Sequence, residues 1–207
     1  MPNRKERQYR AMANVTASQT ESGEEYRATG YATTFERYPF YEDEDGTVYE
    51  KFSQESFCDC DMSDVIFQFN HRGMVFARQS NGTLTLDVDE HGLKIEADLS
   101  KTTDARNMHE AIAAGNVTKM SWGFAVAKPP DYDKETKTII WGPGSIRKIY
   151  DVSAVSIPAN DDTNINARAF IDGVIDKSLT ERLEAQERLM ALRKKILKNQ
   201  IMEGLKR

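Results

Sequence analysis

Val117-Thr118-Lys119-Met120-Ser121-Trp122-Gly123-Phe124-Ala125-Val126-Ala127 alternates large and small side chains. In an extended strand successive residues point to opposite faces. Met120, Trp122, Phe124 and Val126 therefore share one face, and Ser121, Gly123 and Ala125 share the other. The large face anchors the strand in a core. The small face leaves its backbone approachable, and Ser121 is the nucleophilic side chain on it.

The same period of two runs outward from this strand. Upstream, Val65, Phe67 and Phe69 alternate with Ile66, Gln68 and Asn70. Asn81-Gly82 is a hairpin signal because both residues tolerate positive φ; it is expected to join 74–79 to 83–88. Glu90-His91-Gly92 turns the chain into 93–99, where Leu93, Ile95, Ala97 and Leu99 alternate. This pattern predicts an antiparallel meander with one wet face. Tyr26 to Phe35 reads as a further strand, and Tyr41-Glu42-Asp43-Glu44-Asp45-Gly46 as a solvated acidic turn. Thr103-Asp104 caps a helix running to Ala114, with Gly115 as its stop. Downstream, Pro129-Pro130-Asp131 ends the strand, and 138–141 and 146–157 read as two more. Strict alternation in the last of these puts Asp151 and Ser153 on the face of Ile149 and Val155. Asn160 to Asn166 reads as a loop. Ser178-Leu179-Thr180-Glu181 fits a capping box that opens a helix of about 25 residues. Leu179, Leu183, Met190, Leu197 and Ile201 form its stripe, which needs a partner.

The resulting expectation is mostly β with helices (α+β): a closed or partly open antiparallel β-barrel of about six or seven strands, plus a long C-terminal helix. Three segments follow: a flexible arm over 1–24, a barrel domain over 25–170, and a linker with an amphipathic helix over 171–207. Composition narrows the function. The chain has 207 residues and a net charge of −5, with a pI near 5.4. Phosphate recognition needs a basic face, so nucleic acid and membrane surfaces are not expected partners. No apolar run approaches the roughly 20 residues of a membrane span. The charged N-terminus lacks the apolar block of a secretory signal, which points to the cytoplasm. Cys58 and Cys60 form a C-x-C pair without a second pair, and His71, His91 and His109 show no ligand spacing. Neither a metal nor a cofactor is expected.

The groups that carry chemistry are His71, Ser121 and Asp151. Serine is a poor nucleophile at neutral pH unless a base lies within hydrogen-bond reach and the base is itself oriented. His71 ends the apolar strand 65–70, and Asp151 sits among Ile149, Val152 and Val155, where an unpaired carboxylate is costly. An ion pair of Asp151 with Arg147 or Lys148 is the structural alternative. No G-x-S-x-G elbow is present. The residues permit a Ser–His–Asp arrangement without demonstrating it.

Several blocks, taken in order, carry a resemblance: Gly30-Tyr31-Ala32, Tyr49-Glu50-Lys51-Phe52, Phe69-Asn70-His71, Gly82-Thr83-Leu84-Thr85-Leu86, His91-Gly92-Leu93-Lys94-Ile95-Glu96-Ala97, Met120-Ser121-Trp122-Gly123-Phe124 and Asp151-Val152-Ser153-Ala154-Val155. From Tyr26 to Ala167 the chain resembles the prohead serine proteases of tailed phages, which are similar in fold and site plan to the herpesvirus assembly proteases. The resemblance implies Ser121 as nucleophile and His71 as general base. It implies Asp151 as the orienting carboxylate, in a position where glutamate is commoner. Arg72 and Trp122 also depart from the family pattern. Backbone amides near 145–147 are the oxyanion donors that the analogy suggests. The implied biology is an endopeptidase within the immature procapsid in the host cytoplasm, cutting scaffold or major capsid protein and itself, and associating with its own copies. The competing class is a non-catalytic scaffold or capsid-assembly interaction protein. A metal-dependent hydrolase is a third.

Overall fold

The computed structural model describes residues 7–18, 26–156 and 161–204. Contacts divide the chain into two units, Met1–Arg168 and Ala169–Arg207. The strands are β1 (Arg7–Ser18), β2 (Arg27–Thr34), β3 (Tyr38–Asp43), β4 (Gly46–Lys51), β5 (Ile66–Phe69), β6 (Arg72–Arg78), β7 (Leu84–Val88), β8 (Gly92–Asp98), β9 (Lys119–Val126), β10 (Asp131–Asp133), β11 (Thr138–Ile140) and β12 (Ile146–Val155). The helices are α1 (Thr103–Ala113) and α2 (Asp161–Gly204).

One sheet holds eight strands in the order β6-β5-β12-β9-β1-β2-β8-β7, and a second holds four in the order β10-β11-β4-β3. The mostly-β class with helices is what the sequence led one to expect. The closed barrel is not found: β6 and β7 end the large sheet, and no ladder joins them among the described residues. Nor are the sheets purely antiparallel, since β12 runs parallel to β5 and β11 parallel to β4.

The strand quoted at the outset is β9, flanked by β1 and β12. Its large face builds the core as expected. Trp122 and Phe124 stack at 4.2 Å, Phe52 packs edge-on to Trp122 at 5.3 Å, and Phe52 stacks on Trp141 at 5.5 Å. All four rings are fully buried. Burying an aromatic side chain contributes roughly 1.5–3 kcal/mol, so this cluster holds β9 firmly.

Four local expectations are corrected. The arm assigned to 1–24 contains β1, a strand within the large sheet that pairs with β9 along Arg7–Asn14 and with β2 along Val15–Ser18; residues 1–6 and 19–24 lie outside the described residues. Within that strand Arg10 is buried. Asn81-Gly82 does not make a hairpin. Gly82 (φ 75°) closes a short 3-10 turn over Gln79–Asn81, and β6 and β7 lie at opposite edges of the sheet. The tight hairpin is β5–β6, turned by Asn70 (φ 48°) and His71 (φ 56°). The acidic stretch is a β3–β4 hairpin with only its tip in a turn. Lastly, α2 begins at Asp161, so the expected linker and the loop after Asn160 are helical from that residue on; Asn160 lies outside the described residues. Along it Leu183, Leu189, Met190, Leu192 and Ile196 are exposed, while the side chains of Leu179, Leu197 and Ile201 lie outside the described residues.

Candidate active site

The site is assembled on the small face of β9. Tyr9 of β1 pairs with Gly123, which pairs with Asp151 of β12. In the next row Ser121 pairs with Ser153, which pairs with Gln68 of β5. Cross-strand partners share a face, so Tyr9, Ser121, Asp151, Ser153 and Gln68 look out on one side of the sheet.

Strict alternation along β12 would have put Asp151 on the side of Ile149, against the aromatic core. It does not, because the register slips between Ile149, opposite Phe124, and Asp151, opposite Gly123. Tyr150 is the extra residue of a β-bulge. A one-residue slip exchanges the faces of everything that follows. The bulge thus sends Ile149 into the core and Asp151 into the site.

His71 reaches the site from a turn rather than from a strand. Asn70 and His71 are the two central residues of a two-residue connection, both with positive φ, as a type I′ hairpin requires. Asparagine and histidine both adopt this region more readily than most side chains do. Asn70 is also bound to β12. Its amide donates to the Ala154 carbonyl at 3.0 Å, its Oδ1 accepts the Ser156 amide at 3.1 Å, and its Nδ2 donates to Ser156 Oγ at 3.3 Å.

Held this way, the imidazole lies between hydroxyl and carboxylate. His71 Nε2 is 2.7 Å from Ser121 Oγ. His71 Nδ1 contacts Asp151 Oδ1, which also accepts from Ser153 Oγ at 2.9 Å. A carboxylate only accepts, so the shared proton belongs to Nδ1 and the Nε2 lone pair faces the serine hydroxyl. Asp151 is 0% exposed and Ser121 3% exposed, whereas the His71 side chain keeps 17% exposure. Asp151 Oδ2 is buried and accepts no hydrogen bond among the described residues.

Lys148, one alternative partner of Asp151, is engaged elsewhere. Lys148 pairs with Asp61. That hydrogen bond, with a second from Ser63, holds the Asp61 carboxyl well below the usual carboxylate range. Arg147 is exposed, whereas Asp151 is wholly buried. The amides suggested as oxyanion donors are misplaced: Ile146 lies opposite Val126, five residues along β9 from Ser121, or roughly 17 Å at strand rise. The Ser145 amide donates to the Gly142 carbonyl at 3.2 Å.

Cys58 and Cys60 are free thiols, and burial pushes Cys60 up to about 12. Groups of His, Cys, Asp or Glu suited to a metal do not occur among the described residues. Three contributors to the site were not singled out by sequence: Tyr9, Gly123 and Ser153. Tyr9 belongs to a strand whose arginines masked it, while Gly123 and Ser153 sat in motifs without a recognisable task.

Comparison with known proteins gives one family. Residues 13–176 match the caudovirus prohead serine proteases. No curated protein and no solved structure matches the chain.

Proposed function

Because the chain belongs to the caudovirus prohead serine protease family, we propose that it is a serine endopeptidase with Ser121 as nucleophile, His71 as general base and Asp151 as the carboxylate that orients the base. The observation that carries this reading is the 2.7 Å contact between His71 Nε2 and Ser121 Oγ, made while Nδ1 is held by a buried carboxylate. Nε2 takes the hydroxyl proton as Oγ bonds to a peptide carbonyl carbon, and the π electrons move to the carbonyl oxygen. On collapse the C–N bond breaks, Nε2 gives its proton to the departing amine, and an ester to Ser121 remains. Water, deprotonated by the same nitrogen, then releases the acid. Asp151 holds the ring and offsets its charge in the protonated stage.

The family makes capsid maturation the biological setting. The substrates we propose are scaffold protein, the scaffolding segment of the major capsid protein, and the protease itself, within the procapsid in the host cytoplasm. No described helix is long and apolar enough to cross a membrane. The exposed apolar residues of α2 suit association with another copy or with scaffold. A self-cut within β1 would break the strand that carries Tyr9 and Arg10, so an expendable cut lies outside 7–18.

The test is coexpression with the major capsid protein of the same phage, with and without Ser121→Ala, reading fragment masses. The endopeptidase reading expects discrete fragments from the wild type and intact chains from the variant. Identical fragments in both would end it, and a scaffold role unaffected by the substitution would take its place.

A further inference from the structure

β1 turns two neighbouring residues to opposite faces of the large sheet. Arg10 points into the core and is 3% exposed. Its Nε and Nη2 donate to the two oxygens of Glu50 on β4, at 2.6 and 2.8 Å. Trp141 Nε1 donates to the same carboxylate at 2.7 Å, and so does the Tyr38 hydroxyl. The guanidinium lies 4.4 Å from the Phe40 ring centre. A fork of this kind has essentially one geometry, because either partner displaced would be left charged and unpaired in the core. The ion pair therefore pins β1 where Arg10 lies opposite Trp122.

Tyr9, one residue earlier, is delivered to the other face. It lies opposite Gly123, with its ring centre 4.4 Å from that of His71 and the planes 59° apart. A Cβ on residue 123 would meet Tyr9 Cε1 at 2.8 Å, so the ring occupies space that only glycine leaves. This contact supplies something that the hydrogen bonds of His71 cannot. Bonds at Nδ1 and Nε2 define an axis through the imidazole, and the ring can still swing about it. A neighbouring ring at 4.4 Å restricts that swing.

We propose that Tyr9 is a positioning residue for the His71 imidazole, locked in register by the buried Arg10–Glu50 pair. This rests on the catalytic reading of His71 and Ser121. Tyr9 acts through His71, so it governs how fast the serine reacts rather than how tightly a ligand binds.

The experiment uses the full chain as wild type, Tyr9→Phe and Tyr9→Leu, each reacted with a fluorophosphonate. The Ser121 oxygen bonds to phosphorus, fluoride leaves, and the hydroxyl proton goes to His71. Limiting rate, half-saturating concentration and melting temperature are measured, and the adduct is mapped by mass spectrometry. Tyr9→Leu should lower the limiting rate by about 10²-fold, the cost of an ångström-scale misplacement, with an unchanged half-saturating concentration. Tyr9→Phe, which keeps the ring, should restore the rate. A Tyr9→Leu variant that reacts at the wild-type rate overturns the inference, as does one whose loss equals its unfolded fraction; the protease reading survives both. Wild type that takes no adduct on Ser121 overturns both ideas together.

Discussion

Replacing Gly123 with alanine inserts one methyl group between the carboxylate and the aromatic ring that flank the imidazole. The new Cβ would stand 2.7 Å from Asp151 Oδ2, 2.8 Å from Tyr9 Cε1 and 3.2 Å from Tyr9 Cδ1, where ordinary contact begins at 3.4 Å. Relief requires shifts of about 0.7 Å at Asp151 (3.4 − 2.7) and about 0.6 Å at Tyr9 (3.4 − 2.8). Neither group moves alone. Asp151 is wholly buried and tied through Oδ1 to Ser153 and His71, and Tyr9 rests on His71. Both routes pass the displacement to the imidazole. Overpacking of this size costs about 1–3 kcal/mol, or a melting temperature lower by roughly 2–12 °C in a domain of this length. Misplacing the imidazole by most of an ångström should cost about 10- to 100-fold in the labelling rate of Ser121. The φ of Gly123 lies outside the left-handed region, so the effect is steric rather than conformational. Thermal melting and the rate of fluorophosphonate labelling at Ser121, measured on the same preparation, separate the two effects. A Gly123→Ala chain that melts and labels like the wild type would refute the packing argument.

Other perturbations probe separate parts of the structure. Ser153→Ala removes the hydroxyl that donates to Asp151 Oδ1; a hydrogen bond to a charged group contributes about 1.5–3 kcal/mol, so chemical denaturation should detect a loss of that order together with slower fluorophosphonate labelling of Ser121. Glu50→Ala strands the buried Arg10 cation and should cost about 3–5 kcal/mol by calorimetry, whereas the double replacement Arg10→Met with Glu50→Leu should cost less than the single change. Cys60 rises from 9.0 to about 12 through burial. Its stabilising contribution is therefore complete below pH 9 and lost as pH climbs through 12. At pH 9 its thiolate is scarcer than that of an ordinary cysteine by roughly 10³-fold, so iodoacetamide should modify exposed Cys58 and spare Cys60 in a mass-mapped time course.

The sequence revealed the components of the site more readily than their placement. The alternation in Met120–Val126 correctly assigned the faces of β9, because a strand between two others needs one packed face and advertises it in large side chains. His71, Ser121 and Asp151 were legible as residue types able to work together. The turn that presents His71 was not, because Asn70-His71 lacks the glycine that usually marks a type I′ hairpin, while Asn81-Gly82 has it and closes a 3-10 turn instead. The Tyr150 bulge was equally hidden: period-two reading assumes unbroken pairing, and one extra residue inverted the predicted face of Asp151. β1 escaped because Arg10, polar by composition, is buried on an ion pair with a partner forty residues away in the chain. An acid beyond local reach leaves no periodic trace. The strand order of the large sheet, with β1 between β9 and β2, rests on backbone ladders, and the β1–β9 ladder joins segments far apart in the chain.

The central claim is that His71 makes Ser121 a nucleophile while Asp151 holds the ring, and peptide-mapped fluorophosphonate labelling of wild type, His71→Ala and Asp151→Asn tests it most directly. The account predicts a single wild-type adduct on Ser121, no adduct in His71→Ala on the same timescale, and labelling in Asp151→Asn slowed by up to about 10⁴-fold, the loss measured for the equivalent change in another serine hydrolase. An adduct on a different residue, or undiminished labelling of Ser121 in His71→Ala, would contradict it.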